Sequence, residues 1–329
     1  MDTDTIARLL DGQSGVISRR QVLAGGGHDA DIARLLRRRI WCRTHHGVYV
    51  DHTGPLTWEQ RAWAAVLYYW PAALDGDSAL RAYGVRRSDT SRRDDEPVRV
   101  VISADRWVAR LGGVSVRRIV GFHDTARLDL SPPRVGLEHA VLTCASSALD
   151  EAGAVAVLGD AVQTRRTTAE RLLVALGLRA RLRRRDLMRH VLDDVAGGAY
   201  SVLERRYLHE VERRHGLPDG RRQQRVEHGG TVAFRDVEYA GLGTVVELDG
   251  RLGHERARDR WADLARDVAA ATAGDLTIRV GWGQVLDGCR LAAAVATILA
   301  ARGWHGTPVP CAAGCPIASI NAGNPSPAA

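Results

Sequence analysis

Residues 231–249 read TVAFRDVEYAGLGTVVELD, two short runs joined by Gly241-Leu242-Gly243. Thr231–Tyr239 and Thr244–Leu248 have the β-branched and aromatic content of strands. A tight glycine-containing connection makes them neighbours in one antiparallel sheet. Each run carries an acid among hydrophobic residues, Asp236 in the first and Glu247 in the second. A charge in that setting costs stability unless it is paired or coordinates a cation. Asp249 shares a face with Glu247, because strand side chains repeat every two residues. Three carboxylates on adjacent strands repel one another unless a cation or arginines intervene. Glu238 is a competing ligand on the first strand.

The flanking sequence extends this cluster. Ser201-Val202-Leu203-Glu204 opens a helix that runs to about Arg214, with Ser201 as N-cap and Glu204 at the third position of a capping box. Glu204 either serves that box alone or projects toward the acids. Gly216-Leu217-Pro218 ends the helix, and Gln223 and Gln224 precede the strands. Downstream come His254 in a loop, a helix bearing Arg260, Asp263, Arg266 and Asp267, a strand over 276–280 with Arg279, and a closing helix over 289–302. Several hard oxygen donors suit Mg²⁺ or Mn²⁺. An unperturbed imidazole titrates near neutral pH, which makes His254 a candidate general acid/base; the alternative is an ordinary loop histidine. Arg266 and Arg279 can neutralise phosphate, although Arg266 with Asp267 also reads as a helix-face ion pair.

At the other end, residues 1–52 read helix, helix, helix, hairpin. Ser18 is a good N-cap for a helix from Arg19, and Gly25-Gly26-Gly27 breaks it. A third helix starts near Asp29 with Ile32, Leu35, Leu36 and Ile40 on one face. Arg34, Arg37 and Arg38 lie opposite. A strand over 41–44, a His45-His46-Gly47 turn and a strand over 48–50 follow. This is the element order of a winged helix-turn-helix, whose third helix enters the major groove and whose hairpin reaches the backbone. Arg19, Arg20, Arg34, Arg37, Arg38, Arg43 and His45 are the candidate DNA contacts. A protein-interaction module with the same element order is the alternative.

Composition agrees with a DNA-associated protein without requiring it. The 329 residues are 45% hydrophobic and 26% charged, with mean hydropathy −0.19, which excludes disordered and collagen-like classes. No run of 18 apolar residues occurs, which excludes a membrane-spanning helix. The acidic start, Met1-Asp2-Thr3-Asp4, is not a signal peptide, so a cytoplasmic location is expected. The net charge is +7, and all 46 basic residues are arginine. Either coding bias or a polyanionic partner explains this.

Five cysteines at irregular spacing argue against a disulfide framework. Cys311 and Cys315, with His305 nearby, lack the fourth ligand and tight pairing of a zinc site, so none is assigned. Residues 53–195 form an α/β middle region without a catalytic constellation: Cys144, Ser146 and Ser147 have no histidine at a recognisable spacing. The arginine run over 181–189 is either a phosphate contact or a solvated helix face. Residues 196–305 are the third region, and the Pro/Ala/Gly-rich 306–329 are expected to be disordered.

Two stretches carry family resemblances. Residues 17–22 (Ile17 to Val22), Leu35 to Arg38 and His46 to Val50 resemble the N-terminal winged helix of AbiEi-type antitoxins from type IV toxin–antitoxin systems. That implies promoter DNA, and a toxin, as partners. The set Ser201 to Glu204, Asp236, Val246 to Gly250, His254, Arg266-Asp267, Ile278-Arg279 and Trp282 resembles the PD-(D/E)XK nuclease fold, and within it the Vsr-like endonuclease-like domains. This second resemblance implies metal-assisted phosphodiester hydrolysis. Asp236 would be the principal ligand, Glu247 or Asp249 the second, and Glu204 a support. The wider superfamily places lysine two residues after its second carboxylate. Here Asp249 stands there, the chain has no lysine, and arginine stays protonated. A non-catalytic regulator or antitoxin with an inactive nuclease fold is therefore the alternative.

Overall fold

A computed structural model describes residues 2–85, 96–197, 201–228, 231–249 and 274–323. The chain has the expected mixed α/β fold and divides into two units, Met1–Cys144 and Ala145–Ala329.

The first unit opens with α1 (Thr3–Gly12), β1 (Val16–Ser18), α2 (Arg19–Ala24), α3 (Asp29–Arg37), β2 (Cys42–His45) and β3 (Val48–Val50). Ser18 caps α2 by accepting the Gln21 backbone N–H, and the Gln21 side chain returns a bond to the Ser18 amide. Gly47, at φ +72°, makes the hairpin turn that a side chain would strain. Ile32, Leu35 and Leu36 of α3 pack on Ile6, Ile17, Val22, Trp41 and Tyr49, as the periodicity predicts; Ile40 is exposed.

Strand β1, too short to be read from the sequence, pairs with β3 and gives the order β1-β3-β2. The pleat then sends Ile17 and Tyr49 to the helices and Val16, Val48 and Val50 to the other side. There they meet Trp63, Ala64 and Leu67 of α4 (Trp58–Tyr68). Gln60 of α4 also donates to the Ser14 carbonyl at 3.0 Å. A boundary at residue 52 therefore cuts through this core. The unit continues with β4 (Ala73–Leu74), α5 (Gly76–Ala82), β5 (Val98–Ser103), β6 (Val114–Ile119), α6 (Phe122–Thr125), β7 (Ala126–Arg127), β8 (Arg134–Val135) and α7 (Leu137–Ser147). Strands β4 to β8 form a second sheet in the order β6-β5-β4-β8-β7. Of the small residues near the end of α7, Cys144 is buried, Ser146 half-buried and Ser147 exposed.

The second unit begins with α8 (Glu151–Gln163), α9 (Ala169–Gly177) and α10 (Arg185–Gly197). Two members of the arginine run serve the backbone. Arg184 donates to the carbonyls of Ala148 and Leu149, both at 2.7 Å, and Arg185 to those of Arg179 and Leu176 at 3.1 and 3.2 Å. These bonds tie both arginines to the backbone just beyond α7 and at the C-terminal end of α9. Helix α11 (Ser201–Arg206) passes into a π-helical stretch, Tyr207–Arg213.

A sheet follows: β9 (Arg221–His228), β10 (Thr231–Tyr239), β11 (Thr244–Asp249) and β12 (Leu276–Gly281), in the order β12-β11-β10-β9. The β10–β11 pair is antiparallel, as the glycine connection predicts, and β12 runs parallel to β11. Val237, Tyr239, Val246 and Leu248 are buried. Tyr207 bonds the Tyr239 hydroxyl at 2.8 Å, Tyr239 donates to Glu212 at 2.9 Å, and Arg222 pairs with the same buried Glu212.

Helices α12 (Trp282–Leu286) and α13 (Gly288–Ala301) lead to the C-terminal segment. The described part of that segment corrects the expectation of disorder. It forms α14 (Pro316–Gly323) with Cys315 and Ile317 buried. Among the described residues no helix is long and apolar enough to cross a membrane.

Candidate functional site

Register places the acids. The β9–β10 pairing steps from Arg235 opposite Gln224 to Val237 opposite Arg222, leaving Asp236 beside Gln223. On the other edge of β10, Asp236 is one step beyond the Val237–Val246 pair, beside Glu247, and Glu247 pairs with Arg279 of β12. Gln223, Asp236, Glu247 and Arg279 thus form one row across four strands. Asp249, two residues beyond Glu247, pairs with Gly281.

Hydrogen bonds orient the centre of this row. Asp236 Oδ2 accepts the Leu248 backbone N–H at 2.7 Å. The Gln223 amide nitrogen donates to Asp236 Oδ1 at 3.3 Å and to Glu204 Oε1 at 2.8 Å. Glu204 therefore does reach the sheet from α11. Gln223 itself sits at φ +47°, a left-handed conformation that costs a non-glycine residue energy and often marks a functional position.

The electrostatics follow from this crowding. Burial, and then the neighbouring Asp236 charge, push the Glu204 carboxyl above its ordinary range, against the Gln223 bond. Burial also raises Asp236. The Leu248 N–H and the Gln223 amide oppose that rise, and Asp249 adds to it. A cation beside these groups would relieve both desolvation and repulsion.

The acids do not all converge, however. Glu204 and Asp236 flank one amide instead of meeting at a point. Among the described residues, the group of three or more such side chains with donor atoms close enough for an ion is His215, Cys289, Cys311 and Cys315. The oxygen set is open, and suits an ion held by one or two carboxylates with water and phosphate completing the shell, as Mg²⁺ commonly is. Glu238 is not a rival ligand: Arg235 holds it at 2.7 Å while also pairing with Asp275 at 2.5 Å. His254 and Arg266 lie outside the described residues. A cleft of about 570 Å³ beside α11 is lined by His190, Arg205, Arg206 and His209, with Glu151 and Glu210 among them.

In the first unit the candidate contacts separate into three kinds. Arg19 is paired with Asp29 at 2.7 Å and Arg34 with Asp31 at 3.0 Å. Arg20 lies over the Trp70 ring at 4.9 Å, and His45 is half-buried with its ring edge on Tyr68. Arg37, Arg38 and Arg43 are exposed. No sequence pattern marks Gln223, whose signal is conformational, or His215 and Cys289, which lie far from the other cysteines.

No protein-family model matches the chain, and no curated protein matches it. Among solved structures, that of the Rv2827c protein from Mycobacterium tuberculosis is similar over 58% of this chain and 75% of that one, with 19% identity and a TM-score of 0.36. A likeness of that size carries no argument about what this chain does.

Proposed function

We propose that this chain is a DNA-binding protein whose C-terminal sheet hydrolyses phosphodiester bonds with Mg²⁺ or Mn²⁺. The observation that carries the reading is the row Gln223–Asp236–Glu247–Arg279, with Glu204 and Asp249 at its margins. Asp236 and either Glu247 or Asp249 would hold the ion, which would supply Lewis acidity and an activated water. Leu248 N–H and the Gln223 amide keep the Asp236 carboxylate oriented. Arg279, across from Glu247, would neutralise phosphate. The order helix, three-strand meander and parallel fourth strand supports the nuclease-type resemblance. The test is cleavage of supercoiled plasmid and single-stranded DNA with each metal. Cutting by the wild type and none by Asp236→Asn is expected; no cutting by the wild type removes the reading.

A second reading, a regulator or antitoxin with an inactive nuclease fold, is favoured by one observation: the acids stand around an amide, in a chain without lysine. It predicts salt-sensitive binding to the chain's own upstream DNA through α3 and the hairpin, unaffected by divalent ions. Retention of that binding after replacing Arg37, Arg38 and Arg43 with alanine would defeat it.

A further inference from the structure

His215 closes the helical stretch that starts at Ser201, Cys289 lies in the first turn of α13, and Cys311 and Cys315 flank the turn before α14. The donor atoms of all four lie within 4.8 Å of one another. Cys289 Sγ is 3.4 Å from Cys311 Sγ, and the His215 ring stands against Cys315, whose sulfur is 4.0 Å from the ring's Nδ1. A tetrahedral zinc with bonds of about 2.0–2.3 Å separates its donors by roughly 3.4–3.8 Å. A disulfide needs sulfurs at about 2.05 Å, and all five cysteines are free.

The surroundings are those of a metal ligand set. His215 is fully buried. Its Nδ1 has the Val309 carbonyl at 3.1 Å, and its Nε2 is buried without a partner. An unsatisfied buried nitrogen is costly, whereas one ring nitrogen on a metal and the other on a carbonyl is the usual state of a ligating histidine. The Val309 N–H returns a bond to the His215 carbonyl at 2.8 Å, which ties the C-terminal segment to this histidine. The Arg214 guanidinium, bonded to Glu210 at 2.6 Å, also reaches the Cys311 sulfur and sets a positive charge beside it.

We propose that His215, Cys289, Cys311 and Cys315 bind one zinc ion that staples the C-terminal segment to the helix carrying Glu204. Three thiolates and one imidazole fill a tetrahedral shell and leave no position for water or substrate, so the ion is structural. Sulfur donors select zinc over the hard cations that the acidic row suits. The site is separate from that row and does not depend on its being catalytic. Binding displaces the thiol protons, which pass to solvent. It also accounts for order in a Pro/Ala/Gly-rich segment whose Val309 is largely exposed.

The test is metal content of the full chain, purified under reducing conditions without chelator. About one zinc per chain is expected in the wild type and in Cys42→Ser and Cys144→Ser, with near-complete loss in Cys311→Ser and Cys315→Ser. His215→Cys should retain the ion. Because a serine variant can fail to fold, Co²⁺ is also titrated into the wild type. Intense tetrahedral d–d bands with thiolate charge transfer support the site. A wild-type chain that takes up neither zinc nor Co²⁺, or a Cys289→Ser/Cys311→Ser variant that keeps full zinc, overturns it.

Discussion

Gln223 joins two acids that would otherwise face each other, and it does so from a strained backbone. Glu204 and Asp236 are both raised, chiefly by burial. A carboxyl raised on folding binds its proton more tightly in the folded chain. Stability therefore falls as pH rises from the ordinary carboxylate range through the raised values. Glu204→Gln and Asp236→Asn should each flatten that fall and raise the melting temperature at neutral pH without added Mg²⁺, as thermal melts across pH would read. On the buried side of the sheet, Tyr239→Phe leaves Glu212 Oε1 without its donor. Denaturant unfolding should show a loss of about 1–3 kcal/mol with an unchanged slope. The strand positions of Asp236, Glu247 and Asp249 are legible because a charge inside an apolar strand is conspicuous. Gln223 was not, because a glutamine before a strand is ordinary and its φ is a tertiary outcome.

Elements show the same division. The α2 cap and the apolar stripe of α3 follow from local chemistry, and both were readable. Strand β1 has only three residues, too few to show alternation. Strand β9, RRQQRVEH, is an edge strand with almost no apolar content, so nothing in its pattern announces a strand. The packing of α4 on the β1-β3-β2 sheet pairs two apolar faces that no local rule connects. Ser18→Ala should cost the first unit about 0.5–2 kcal/mol in chemical unfolding. Replacing Arg37, Arg38 and Arg43 with alanine should weaken DNA binding and lower the slope of log K against log salt by about 0.9 for each phosphate no longer neutralised.

Across the whole molecule, two kinds of donor set are kept apart: oxygens on the sheet, and sulfur with imidazole where the helical stretch, α13 and the C-terminal segment meet. The sulfur set is invisible in the sequence because His215 and Cys315 are a hundred positions apart and Cys289 shares no motif with Cys311. Composition pointed to disorder after residue 305, whereas Cys315 and Ile317 are buried. Removing residues 306–329 should lower the stability of the second unit by at least the roughly 1.5–3 kcal/mol of one buried isoleucine, read by calorimetry. The proposed chemistry depends most heavily on Asp236 belonging to a divalent-cation site. Manganese binding, followed by electron paramagnetic resonance on zinc-saturated protein, tests this directly. One saturable Mn²⁺ site in the wild type, abolished in Asp236→Asn, is predicted; no binding by the wild type, or equal binding by the variant, contradicts it.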